Sequence, residues 1–145
     1  MVSNEEIQKE FYRLEMYNQQ LKQLQEEIKK IEVAKLELNN TIETLEGLKT
    51  SDDLIMPIGG GAYIRVKKVD GDKVIVGTGA NIYLEKDIDS TIKDFKKSVE
   101  DLNKAEEKLS EEMGKIMEVA QKLQKELEEK VRELQESQMM MGEKE

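Results

Sequence analysis

LIMPIGGGAYIRVKKVDGDKVIVGTGANIYLEK, residues 54–86, lies in the middle of a 145-residue chain and cannot be helical. It holds the only proline, Pro57, and most of the glycines. Its apolar residues alternate instead of recurring every three or four positions, which is the strand period. Leu54–Ile58 is apolar and carries Pro57, which suits a short edge strand. Gly59-Gly60-Gly61 reads as a turn. In Ala62–Lys67, Ala62, Ile64 and Val66 fall on one face and Tyr63, Arg65 and Lys67 on the other. Val69-Asp70-Gly71-Asp72 reads as a hairpin turn. Val74-Ile75-Val76 follows, then Gly77-Thr78-Gly79 as a further turn, then Asn81–Leu84. Residues 54–85 therefore predict four short strands in two hairpins.

Hairpins of this size cannot bury their own apolar residues and are marginal alone in water. Their open edges invite strands from another chain. The insert thus reads as an oligomerisation module. The residues expected to carry it are Leu54, Ile55, Pro57, Ile58, Ala62, Ile64 and Val66 in the first half. In the second half they are Val74, Val76, Ile82 and Leu84. The glycines do not form a phosphate cradle. No Lys-Ser or Lys-Thr follows Gly59-Gly60-Gly61, and Gly77-Thr78-Gly79-Ala80 is only a fragment of a dinucleotide fingerprint.

Outward from the insert lie two segments with a sustained heptad pattern, residues 4–49 and 87–136. In the first, position a is Ile7, Leu14, Leu21, Ile28, Lys35, Ile42 and Lys49, and position d is Glu10, Tyr17, Leu24, Ile31, Leu38 and Leu45. In the second, position a runs Ile92, Val99, Glu106, Met113, Ala120, Leu127, Leu134, and position d runs Phe95, Leu102, Leu109, Ile116, Leu123, Lys130. This 3–4 spacing through six heptads is the coiled-coil signature. Each arm would extend about 70 Å. Gly47 and the polar run 49–53 mark the end of the first, and Asp87 and Asp89 offer caps for the second. Residues 137–145 are expected to form a flexible, Met-rich tail.

Two equal arms around a compact insert fold back as an antiparallel two-helix coiled coil. Residues whose numbers sum to about 140 should then be neighbours. Lys35 with Glu106, and Glu10 with Lys130, satisfy that rule. Each would place a seam cation against a seam anion and set register and orientation more than net stability.

Composition agrees. Charged residues make up 38% of the chain and aromatics 4%, a balance that suits long helices rather than a deep enclosed core. The net charge of −9 disfavours nucleic acid and anionic membrane as partners. Cys and His are absent, which removes disulfides, thiol nucleophiles and the commonest zinc ligands. There is no apolar run of membrane length, and Glu5 and Glu6 stand where a signal peptide would be basic and then apolar. A cytoplasmic, non-enzymatic protein without cofactor or metal is expected. The acidic pairs Asp52-Asp53 and Asp70/Asp72 fall in turns, with no base beside them.

The combination resembles the prefoldin α subunit family of archaea. Met56-Pro57-Ile58-Gly59-Gly60-Gly61-Ala62-Tyr63 is similar to the family's first hairpin signature, and Gly77–Lys86 to its second. Four strands between the arms match the α class. The resemblance implies a mainly α subunit with a small β insert, whose hairpins assemble into an intersubunit β-barrel platform. It also implies an ATP-independent holdase. Such a protein binds unfolded proteins at the coiled-coil tips and delivers them to a group II chaperonin, with prefoldin β-type subunits or copies of itself as assembly partners. Some α-like members instead self-assemble into filaments, and that alternative stays open here, as does a passive coiled-coil scaffold.

The tip residues singled out for client binding are Ile7, Phe11 and Leu14 on the first arm. On the second they are Val131, Leu134, Met139, Met140 and Met141. Phe11 and Val131 occupy e positions beside the seam, so they are the least committed to it. Methionine is unbranched and polarizable and adapts to many apolar surfaces.

Overall fold

The computed structural model describes residues 3–69 and 71–143. Helix α1 covers Asn4–Thr50 and helix α2 covers Ile88–Glu143. Between them lie β1 (Asp53–Gly59), β2 (Ala62–Lys67), β3 (Lys73–Gly79) and β4 (Ile82–Asp87). β1 pairs antiparallel with β2, and β3 with β4, as two separate two-stranded sheets. The chain divides into two compact units, one of Met1–Ile31 with Ala105–Glu145 and the other of Glu32–Lys104.

The heptad reading locates the buried stripe of both helices. Every a and d position of α1 from Ile7 to Leu45 is buried or half-buried, and so is every a and d position of α2 from Ile92 to Leu134. Ser3 precedes α1, its hydroxyl accepting the Glu6 amide at 3.3 Å, as an N-cap should. In the unit of Glu32–Lys104, Ile42 and Leu45 pack with Ile88 and Ile92, and Leu48, Val74, Phe95 and Val99 close around them. Thr91 is buried there, and its hydroxyl donates to the Asp87 carbonyl at 2.8 Å. In the other unit Ile7, Leu24, Ala120, Leu123 and Leu127 are buried.

Several boundaries differ from expectation. α1 runs through Gly47 to Thr50. Its end is closed by Lys68, whose ammonium donates to the Leu48 carbonyl at 2.8 Å, satisfying one of the orphan acceptors of a helix terminus. Asp89 lies inside α2 and pairs with Lys49 instead of capping the helix. α2 does not stop near Glu136, and Met139, Met140 and Met141 are helical. The segment around Val69, Gly71 and Asp72 is not the turn of a hairpin. It links two hairpins, and β2 and β3 do not pair with each other. Asp70 lies outside the described residues. Gly77, Thr78 and Gly79 belong to β3, and the second turn is Ala80-Asn81.

The two hairpins repeat one another. Each cross-strand pair of the second is a pair of the first displaced by 20 residues, including the bulge at Pro57/Gly59 and Gly77/Gly79. The base of each is closed by the same backbone bond, Lys68 N–H to Asp52 O at 2.8 Å and Ile88 N–H to Asp72 O at 2.7 Å. Both turns have positive φ at three successive residues: Gly59, Gly60 and Gly61 in the first, Gly79, Ala80 and Asn81 in the second. Two central residues with φ > 0 form the turn whose twist suits a two-residue hairpin loop.

Candidate functional site

Cys and His are absent from this chain, and the candidate sites are surfaces. The first is made by the hairpins. On one face of the first hairpin Leu54 stands opposite Val66 and Met56 opposite Ile64, with Ala62 following on the same side of β2. The matching face of the second has Val76 opposite Leu84, with Val74 and Ile82 beyond. Leu54, Val66, Val74 and Val76 at the bases are half-buried, whereas Met56, Ile64, Ile82 and Leu84 are exposed. Ile58 falls in the bulge and is also exposed.

The residues expected to form one assembly surface therefore split across two. Ile55 and Pro57 lie on the opposite face, paired with Arg65 and Tyr63. Period-two alternation dictates this, since neighbours along a strand point to opposite sides. On the second hairpin Ile75 pairs with Glu85 and Gly77 with Tyr83. Gly77 has a role the turn reading missed. A Cβ there would come within 3.1 Å of the Tyr83 ring, so the missing side chain makes room for that ring.

The second surface lies on the unit of Met1–Ile31 and Ala105–Glu145. Phe11, Leu14, Leu127 and Val131 line an open groove, with Gln124, Glu128, Arg132 and Gln135 at its rim. Phe11 is half exposed and also borders a second depression with Gln8, Tyr12, Leu14, Glu15 and Asn18. Tyr12 and Met16 are exposed beside it. Sequence reasoning passed over both, although they stand at outward heptad positions where polar residues belong. Ile7 does not join this surface. It is 7% exposed, its side chain occupied by the seam. Leu14, Val131 and Leu134 are half-buried, and Met139, Met140 and Met141 are exposed.

Glu10 and Lys130 meet in the same unit. The Lys130 ammonium donates to Glu10 Oε1, while Glu10 Oε2 is buried without a partner among the described residues. The hydrogen bond to Glu10 holds Lys130 above the usual lysine range. Lys49 is raised likewise by its bond to Asp89. Glu46 and Lys96 pair at 3.4 Å, and Lys86 and Asp94 at 3.1 Å. Lys35 and Glu106 are half-buried at their seam positions, and each is engaged in an interaction. Among the described residues, no helix is long and apolar enough to cross a membrane.

Comparison with known proteins agrees with this arrangement of helices and hairpins. The chain is 53% identical over 91 residues to prefoldin subunit alpha of Methanococcus aeolicus, a match covering 63% of each chain. It is 38% identical over 90 residues to prefoldin subunit alpha 1 of Methanocaldococcus jannaschii, covering 62% of this chain and 63% of that one. The match thus spans a little under two thirds of these relatives' length. Among solved structures, the cryo-EM structure of filamentous PFD from Methanocaldococcus jannaschii superposes with a TM-score of 0.65 at 24% identity, over 76% of this chain and 93% of that one. At that identity the likeness speaks for the fold. The prefoldin subunit family profile matches residues 17–141. That family consists of non-enzymatic chaperone subunits. With the profile matched along most of its length, the chain belongs to the prefoldin family.

Proposed function

We propose that this protein is an ATP-independent holdase subunit, which binds unfolded proteins at the helix ends and passes them to a group II chaperonin. Its hairpins join it to prefoldin β-type subunits or to further copies of itself. The observation that carries this reading is the apolar surface of Phe11, Tyr12 and Met16, exposed beside the groove of Leu14, Leu127 and Val131. These residues lie off the seam, where the helix pair does not need them. Solvated apolar side chains gathered in one place mark an interaction site. An aromatic pair with a methionine fits varied apolar segments rather than one shape. Met139, Met140 and Met141 extend the same chemistry along α2.

The test is suppression of aggregation of a heat-denatured client. Replacing Phe11, Tyr12 and Met16 together by serine should lower protection several-fold while leaving the oligomer mass unchanged. Unchanged protection would refute the client site. The filament reading is favoured by one finding, the likeness of the fold to filamentous PFD. Electron microscopy of the protein with and without a β-type subunit separates the two. Fibres from the chain alone support the filament, and a closed hexamer formed only with the partner supports the holdase complex.

A further inference from the structure

The repeat between the hairpins conserves shape and inverts charge. On the face opposite Leu54 and Val66, the first hairpin carries Ile55, Tyr63 and Arg65, with Asp53 opposite Lys67 at its base. The equivalent face of the second carries Ile75, Tyr83 and Glu85, with Lys73 opposite Asp87. Isoleucine is kept for isoleucine and tyrosine for tyrosine, while Pro57 gives way to Gly77. Their exposures nearly coincide, 67% and 71% for the isoleucines, 64% and 68% for the tyrosines. The charged members are all exchanged. Arg65 tips the first face positive and Glu85 tips the second negative. Among the described residues no ion pair joins Arg65 to Glu85, and both are exposed.

We propose that this face of the first hairpin docks on the same face of the second hairpin of another copy of this chain, Arg65 against Glu85 and the isoleucine–tyrosine patches against each other. Like-on-like docking would set Arg65 against Arg65 and Glu85 against Glu85, which costs free energy once the faces leave water. First-on-second docking turns both into attractions and leaves the apolar patches matched. Two copies related by a twofold axis make this contact twice and close on themselves. Copies related by another rotation make it once each, closing into a ring where the rotation divides a full turn and continuing as a filament where it does not. The arrangement rests on the reading of the hairpins as the assembly module, and names which surface meets which.

Charge reversal tests it by sedimentation and light scattering of the full chain. Arg65→Glu sets two acids face to face at every contact, and Glu85→Arg sets two bases. Each should weaken self-association about tenfold or more at low salt, and added salt should partly relieve the loss. The double reversal, Arg65→Glu with Glu85→Arg, restores complementarity and should restore assembly. Single variants that assemble like the parent, or a double variant as weak as the singles, would overturn the proposal. A control on the other face keeps the two readings apart. If Ile64→Asp with Leu84→Asp also leaves assembly intact, the hairpins are not the assembly module at all. If it abolishes assembly while Arg65→Glu does not, only the first-on-second docking fails.

Discussion

Ile88 and Ile64 belong to the same unit, and both are aliphatic residues next to or within a hairpin. Ile88 is 1% exposed and Ile64 is 44% exposed. The difference lies in what the chain supplies around each. Ile88 opens α2, where Ile42 and Leu45 of α1 and Ile92 of α2 close over it. Two helices with matching stripes give each other a second face. A lone two-stranded sheet has no such partner, so Ile64 of β2 and Ile82 and Leu84 of β4 stay exposed. The junction is where the subunit is held together, and the hairpins are where it remains unfinished.

The widest break in this comparison comes from truncating a residue on each side. Ile88→Ala should lower stability by about 2–5 kcal/mol, the range for deleting a buried aliphatic group whose site cannot collapse. Urea denaturation of the dissociated chain measures it. Ile64→Ser, measured in the same way, should change stability by about 0.5 kcal/mol or less and weaken oligomer formation. Equal losses from both substitutions would mean that the hairpin face is already covered within one chain, and the contrast would fall.

A smaller effect separates the hairpins from each other. Their turns share a backbone but not a sequence. Gly60 and Gly61 take positive φ without steric cost, and Asn81 tolerates it, whereas Ala80 adopts φ 51 at a steric cost. The cost for an L-residue there is about 1–2 kcal/mol. Ala80→Gly should therefore stabilise the second hairpin by about 1 kcal/mol, less the entropy that glycine adds to the unfolded chain. Gly60→Ala should destabilise the first by a similar amount. Hydrogen exchange of the amides in β3 and β4, compared with β1 and β2, resolves the two turns, and no change at Ala80→Gly would show the turn to be unstrained.

The arms were legible because their information is local and redundant. A seam of apolar residues every three or four positions survives the polar exceptions Lys35, Glu10, Glu106 and Lys130, and it marks the buried side of both helices. The insert was legible as four strands but not in its turns. Gly77-Thr78-Gly79 has turn composition, yet a Cβ on Gly77 would crowd the Tyr83 ring, a cross-strand contact that depends on the hairpin register and not on composition. The 20-residue repeat was visible in principle through Ile55 and Ile75, Gly59 and Gly79, Tyr63 and Tyr83. It was obscured because the charged positions are inverted rather than conserved. Tyr12 and Met16 were missed for a related reason. A search that begins from the seam asks which residues are buried, and these two matter because they are outside it.

The contrast between covered and open also ranks the ion pairs, and this gives the smallest expected effect. Lys130 and Glu10 keep 30% and 16% of their side-chain surface, against 43% and 80% for Lys49 and Asp89. An exposed pair is worth little because water and salt screen it. Removing one member of a covered pair leaves the other unpaired away from water, and Glu10 already has one oxygen without a partner. Lys130→Gln should therefore lower the melting temperature more than Lys49→Gln. The pH dependence has a definite sign. Because Glu10 raises the Lys130 value above the ordinary 10.5, the stabilisation is complete below 10.5 and is lost as pH rises through the raised value. The stability difference between the parent and Lys130→Gln should then stay flat from neutral pH up to about 10 and shrink above it. A difference that vanished already at neutral pH would place this pair with the open ones.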